Sequence, residues 1–245
     1  MALLADESTP TVQDMLNCDG GLLDVAQAES IDLEGKLAIA RAEVATKLQI
    51  FLADYGENPK AVESVVVTEP LRRWITLTAI GLAFRDGHFR HLSDRYKEKW
   101  ILYERLAEGA REDLMRMGVG RVAVPIRRPT CGTVAVTPGG LSEGSYAVAV
   151  SAVGAQGDES EPSDVATVYL NAEGGIRIEA PALQDSSFRW NAYAGRSPEE
   201  LQRQNSEPIA AGAALSLTSL LGLGRPGAGQ EVASYTRETR VIRRG

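Results

Sequence analysis

The sequence predicts an α+β chain of two domains: an N-terminal helical bundle, then an all-β sandwich, then an extended C-terminal arm. Three observations lead there. Apolar residues recur with a 3.6-residue period between Leu33 and Met117, and with a period of two after Gly120. Gly, Pro, Asp and Ser clusters punctuate the second half at the close spacing that separates the short strands of a sandwich. A connector, Gly222-Leu-Gly-Arg-Pro-Gly-Ala-Gly229, then sets off the final stretch, which has no helical stripe. The expected divisions are 1–29, an acidic N-terminal segment; 30–120, the helical domain; 121–221, the sandwich; and 222–245, the Gly-rich linker and basic arm.

The first expected helix runs from Leu33 through Leu37, Ala40, Val44, Leu48, Phe51 and Leu52. Ser30 or Asp32 can cap its start, and Gly56 stands where a left-handed residue closes the end. Thr68-Glu69-Pro70 reads as cap, acid and early proline opening a second helix with the stripe Leu71, Trp74, Ile75, Thr78 and Leu82. A third spans Leu92 to Met117. Its expected stripe is Leu92, Tyr96, Tyr103, Leu106, Ala110, Leu114 and Met117, widened by Trp100 and Ile101. Gly118 terminates it. Its other face is dense in charge, either a solvated surface or a contact between copies.

After Gly120, Val122-Ala123-Val124-Pro125-Ile126 alternates and leads into Arg127-Arg128-Pro129. Strands are expected at Thr133–Thr137, Ser145–Val153, Asp164–Leu170, Ile176–Ala180, Ser187–Tyr193, Pro208–Ala211 and Leu215–Leu220. Val148, Val150, Val168 and Trp190 are expected in the core. "SPEEL" at 197–201 reads as a helical start.

Hydrophobic residues make up 44%, enough for a buried core and too many for a disordered chain. The net charge of −7 disfavours a general nucleic-acid coat. Charge is uneven, however. Residues 1–35 hold eight acids and no Lys or Arg, whereas Arg237, Arg240, Arg243 and Arg244 crowd the C-terminus. Such ends suit oppositely charged partners. Cys18 and Cys131 lie far apart, so neither a disulfide framework nor a zinc site is expected. MALLADESTP has no basic n-region, so no signal peptide is expected. The apolar run Trp74–Phe84 is about half the ~20 residues that a spanning helix needs.

The letter motifs do not assemble into chemistry. Gly140-Leu-Ser-Glu-Gly144 matches G-x-S-x-G, but it sits between strands and no histidine follows Ser142. Gly222-Leu-Gly-Arg-Pro-Gly227 matches G-x-G-x-x-G without a following helix. His88 and His91, with Asp86 or Asp94, fall short of a firm zinc set. No enzyme, metal or cofactor is expected.

YAVAVSAVGAQGDESEP (146–162) and FRWNAYAGRSPEELQRQNSEPI (188–209) resemble fibronectin-type-III-like and immunoglobulin-like modules. The W-N-x-Y-x-G-x-S-P pattern looks most like the versions in phage tail and neck proteins. With the charged helix RHLSDRYKEKWILYERLAEGAREDLMRMG (90–118), the chain from Glu29 to about Leu220 resembles head-to-tail adaptor (connector) proteins of short-tailed double-stranded-DNA phages. That resemblance implies a structural virion protein assembled in the host cytoplasm. It implies a ring of about twelve copies under the portal protein, lengthening a channel through which DNA slides without specific binding. The ring would present a platform to a tail nozzle or tail tube protein, with no membrane partner. Within this reading, Tyr235, Arg237, Arg240, Val241, Ile242, Arg243 and Arg244 are the expected contacts of the arm with the portal or a neighbouring copy. Another neck or tail component, or a glycan-binding accessory module, stays open as an alternative.

Overall fold

A computed structural model describes residues 1–91 and 94–237. The chain is α+β and divides into two compact units. One comprises Leu3–Ala123 with the chain from Val232; the other comprises Met1–Ala2 with Val124–Glu231.

The helical unit holds α1 (Val12–Cys18), α2 (Leu22–Glu29), α3 (Leu33–Asp54), α4 (Glu69–His91) and α5 (Lys97–Met117). On α3, Leu33, Leu37, Ala40, Val44, Leu48 and Leu52 are all buried, as their period predicts. Gly56 ends the helix at φ +77, a conformation that costs glycine little. Helix α4 is the centre of the unit: nearly every residue from Leu71 to Phe84 is buried, and α3 and α5 both pack on it. A helix apolar on all sides must be enclosed on all sides.

On α5 the buried residues are Tyr103, Ala107, Ala110, Leu114 and Met115. Leu106 and Met117, expected in that stripe, are exposed, as is Ile101. The 4-3-4 spacing of 103, 107, 110 and 114 is what faces α4. Leu106 lies one residue, about 100° of rotation, away from it. The start differs too, because a short 3₁₀ turn over Asp94–Tyr96 precedes α5, whereas Leu92 lies outside the described residues.

Residues 3–29 belong to this unit rather than standing apart. Thr11 and Asp14 form a reciprocal capping box on α1, with Thr11 N donating to Asp14 Oδ2 at 2.7 Å. Met15, Leu22 and Ala26 then bury against the core made by α3 to α5. The unit also contains a small antiparallel sheet. Strand β1 (Val119–Arg121) pairs with β10 (Ser234–Thr236) in the register Val119↔Thr236, Gly120↔Tyr235 and Arg121↔Ser234. Leu3, Val66 and Val122 cluster beside it, with Val232 packed on them.

The second unit contains β2 (Val134–Leu141), β3 (Gly144–Val153), β4 (Ala166–Leu170), β5 (Gly174–Ile178), β6 (Arg189–Gly195), β7 (Gln202–Arg203), β8 (Ile209–Ala210) and β9 (Leu215–Leu217). One sheet has the order β2-β5-β9, the other β4-β3-β6-β7, with β8 also pairing β6. Every pairing is antiparallel. Tyr146, Val148, Val150, Trp190, Ala192 and Ala194 of the second sheet share a core with Leu141, Ile176, Ile178 and Leu217 of the first. The two sheets therefore face each other, and Val168 is partly buried against the same core. Alternate residues Ala147, Ala149 and Tyr193 are buried on the opposite face with Leu201. Covered on both faces, β3 reads as a nearly continuous apolar run.

Three expectations need correction. The "SPEEL" stretch forms only a 3₁₀ turn, Pro198–Glu200, and feeds strand β7. The strand expected at Thr133–Thr137 runs on through Pro138-Gly139-Gly140 to Leu141 as β2. The Gly-rich connector is tied down, with Arg203 N donating to Gly224 O at 2.7 Å and Leu221 N to Gln204 Oε1 at 2.7 Å.

Candidate functional site

The motif residues are dispersed. Ser142 sits in the turn between β2 and β3, where its hydroxyl accepts from Arg196 and its carbonyl accepts from Tyr146 Oη at 2.8 Å. It lies in a short link between strands of different sheets, neither a hairpin nor a strand-to-helix elbow. His88 stacks on Trp100 with ring centroids 5.7 Å apart, while the side chain of His91 lies outside what the structure describes. Gly222–Gly227 runs without helix. Among the described residues no group of three or more His, Cys, Asp and Glu is placed to hold a metal ion, and no helix is long and apolar enough to cross a membrane.

The arm is positioned by sequence features at both of its ends. Gln230, almost fully buried, donates from Nε2 to Val124 O at 2.7 Å and accepts from Ile126 N at 2.8 Å. Two residues later Val232 enters the small cluster of the helical unit, and Ala233 N donates to Arg121 O at 2.8 Å. The arm thus docks as an edge strand on its own chain. Up to Arg237 it has a place, which corrects the picture of an arm awaiting a partner from Gln230 onward. Tyr235 is 59% exposed, its backbone paired with Gly120, and Arg237 is exposed. Arg240, Val241, Ile242, Arg243 and Arg244 lie outside the described residues.

The acidic N-terminal end meets cations, but those of its own unit. Asp19 accepts from Lys99 Nζ at 2.7 Å and from Tyr103 Oη at 3.0 Å. Burial opposes its ionisation, yet these bonds and that from the Gly21 N–H outweigh it and hold the carboxyl below its ordinary range. Tyr103 moves the opposite way: burial and its bond to Asp19 keep the phenol protonated. Glu29 accepts from Tyr96 Oη at 3.0 Å, and its carbonyl accepts from Arg90.

A concave surface lies on the helical unit. Helix α4 is its floor, through Trp74, Thr78 and Gly81; α3 and α5 are its walls. Two adjoining cavities, 740 and 150 Å³, share Lys47, Trp74 and Glu108. The Lys47 ammonium lies 5.8 Å from the Trp74 ring centroid. Across the groove Arg111 donates to Glu108 at 3.0 Å and holds that carboxyl below its ordinary range. Ile50, 58% exposed, and Tyr55 extend the apolar lining, and Met115 closes one end. The remaining rim carboxylates, Glu43, Asp54 and Glu104, have no hydrogen-bond or ion-pair partner among the described residues. The arrangement is an apolar trough whose rim carries both signs, with Lys47, Arg85 and Arg111 among the carboxylates.

No signal for this groove exists in the local sequence, since Glu43, Trp74 and Glu104 come from three helices. Comparison with protein-family models, with curated proteins and with solved structures gives no match to this chain.

Proposed function

We propose that this chain is a structural virion protein, a head-to-tail adaptor that assembles as a ring beneath a portal and extends the DNA channel toward the tail. The observation that carries this reading is the outer face of α5. Leu102 and Leu106, one turn apart, are 47% and 37% exposed beside Ile101 at 43%, on a helix whose inner stripe already packs on α4. Apolar residues on such a charged surface suit a contact between copies. In the proposed ring the helical unit makes the lateral contacts. The sandwich is its immunoglobulin-like module, presented to a tail nozzle or tube protein. The net charge of −7 suits a lumen past which DNA slides.

The test is to mix the purified chain with a portal ring and measure mass and symmetry by native mass spectrometry and negative stain. A ring of many copies bound to the portal is expected. Leu102→Glu with Leu106→Glu should abolish the ring while circular dichroism stays unchanged. Single copies binding independently, or a ring indifferent to these substitutions, would refute the reading.

A further inference from the structure

We propose that the groove over α4 receives the Leu102–Leu106 face of α5 from a second copy of the chain, with that α5 parallel to α3, Glu98 against Lys47 and Arg105 against Asp54. The inference rests on the proposed ring in taking this face as a contact between copies; it names the surface that the face meets.

The first argument is direction. At about 100° per residue, Leu102, Leu106 and Gly109 lie roughly 160° round α5 from Glu104, Glu108, Arg111 and Met115, which line the groove. One helical unit therefore presents two different patches that face away from each other. A two-fold contact joins a patch to itself. A contact between different patches passes from copy to copy and, where the rotation closes, makes a ring. Gly109 is exposed in mid-helix, where glycine weakens the helix, and a Cβ there would meet nothing within 4 Å. Nothing within the chain calls for glycine at this position, and a bare backbone beside Leu106 admits a second helix closely.

The second argument is register. Lys47, Phe51, Asp54 and Tyr55 line the 740 Å³ cavity. Glu98, Leu102, Arg105 and Leu106 repeat their 4-3-1 spacing, and all four are exposed. Laid alongside, they set Glu98 opposite Lys47, Leu102 opposite Phe51, Arg105 opposite Asp54 and Leu106 opposite Tyr55. The two charges on each helix are seven residues apart, about 10.5 Å of rise. Phe51 and Tyr55 pack on each other with ring centroids 4.9 Å apart, an aromatic pair facing two leucines. Rotation about an axis along the helices keeps them parallel from copy to copy. Within one copy α3 already runs parallel to α5: Glu43 shares one end of the groove with Trp100 and Glu104, and Asp54 shares the other with Arg111 and Met115.

The third argument is charge. The groove carries both signs, but Glu108 and Arg111 neutralise each other. Glu43, Arg85 and Glu104 line the end beyond Lys47. Lys47 and Asp54 are left under the docked stretch, and neither has a hydrogen-bond or ion-pair partner among the described residues. On the α5 face Lys99 is held by Asp19, and Asp113 pairs with Arg116. Glu98 and Arg105 have no such partner among the described residues. Opposite signs thus meet at both positions, which fixes register as well as partner.

The experiment uses full chains, at high concentration alone and again with a portal ring. One chain carries Leu106→Cys and the other Tyr55→Cys; Glu43→Cys replaces the second as a control at the far end of the groove. Each pair is mixed and joined with a short bis-maleimide. Mass spectrometry maps the products, telling the new thiols from Cys18 and Cys131. The expected product, in either setting, joins 106 to 55 at least five-fold above 106 to 43 and 106 to 106. Lys47→Glu in the Tyr55→Cys chain should lower it several-fold. Glu98→Lys in the Leu106→Cys chain should then restore it, and Glu112→Lys should not. Absence of the 106–55 product in both settings, a dominant 106–106 product, equal yield at 43, failed restoration, or restoration by Glu112→Lys would each overturn the proposal. A ring on the portal without the 106–55 product would sink this contact and leave the adaptor reading standing. The product without any ring on the portal would do the reverse.

Discussion

In the helical unit, segments far apart in sequence are joined by charges near the surface: Asp19 with Lys99, Lys36 with Asp86, Glu57 with Arg121. In the sandwich the main polar knot is sheltered and built on one carboxylate. Glu159 accepts from Ser151, Asn191 and Tyr193, and Asn191 in turn accepts from Asn205 at 2.8 Å. Ser151, Asn191, Tyr193 and Asn205 are all buried. In the first arrangement Lys99 is 46% exposed and open to salt; in the second Glu159 is half-buried but its donors are buried, so salt reaches the knot less. Salt screens exposed charges with a decay length of about 10 Å at ordinary ionic strength, and buried ones far less. One chain therefore carries two units whose stability should answer to different variables.

The largest expected effect tests whether the units are separate at all. Trp190 is fully buried between the sheets, and Trp190→Ala should cost the sandwich about 3–5 kcal/mol. Calorimetry should show one transition fall while the helical ellipticity persists to its usual temperature. Joint collapse of both signals would erase the distinction.

Next in size is the knot. Glu159→Ala leaves the buried donors of Ser151, Asn191 and Tyr193 without their acceptor, at ~1–3 kcal/mol for each that stays unsatisfied. Urea titrations at low and high salt should give the same loss. A loss that shrinks with salt would mean that the knot behaves like the surface pairs.

Asp19→Asn should cost about 1 kcal/mol, because Lys99 is half exposed, and the cost should shrink with salt. The acid response has a definite sign. The folded-state pKa of Asp19 is depressed, so its contribution is present above the unfolded value of about 3.9 and is lost as pH falls through the lower folded value. The gap between parent and Asp19→Asn chains, measured on the helical transition, should close below that point. A gap constant down to pH 2 would sink the assignment.

Smallest is Tyr235→Ala, on an exposed side chain of β10, expected to stay within about 0.5 kcal/mol. A larger loss would show that the ring, and not only the backbone pairing, fastens the arm.

What the sequence disclosed follows the range of its signals. α3 and α4 were legible because a long stripe meets a clear stop at Gly56 or a clear start at Thr68-Glu69-Pro70. Most strands of the sandwich were legible because Gly, Pro, Asp and Ser turns separate them, but Pro138-Gly139-Gly140 falls inside β2, and the two-residue β7 was too short to show. α1 and α2, of seven and eight residues, were too short to show a period. Their acids looked like a solvated tail because Tyr96, Lys99 and Tyr103 lie 67, 80 and 84 residues away from their partners. The β1–β10 pair joins three-residue strands from opposite ends of the chain, and nothing local announces it. The groove depends on α3 and α5 both packing on α4, a tertiary fact.

The division of the chain has a mechanical consequence. The backbone passes from one unit to the other at 2/3, at 123/124 and again at 231/232. Two beads on one string would carry any pull through a single covalent link. Here the load is shared among three, and a protease that severs one leaves two intact. Cleavage near residue 123 should yield two bands under denaturing conditions but a single particle under native ones.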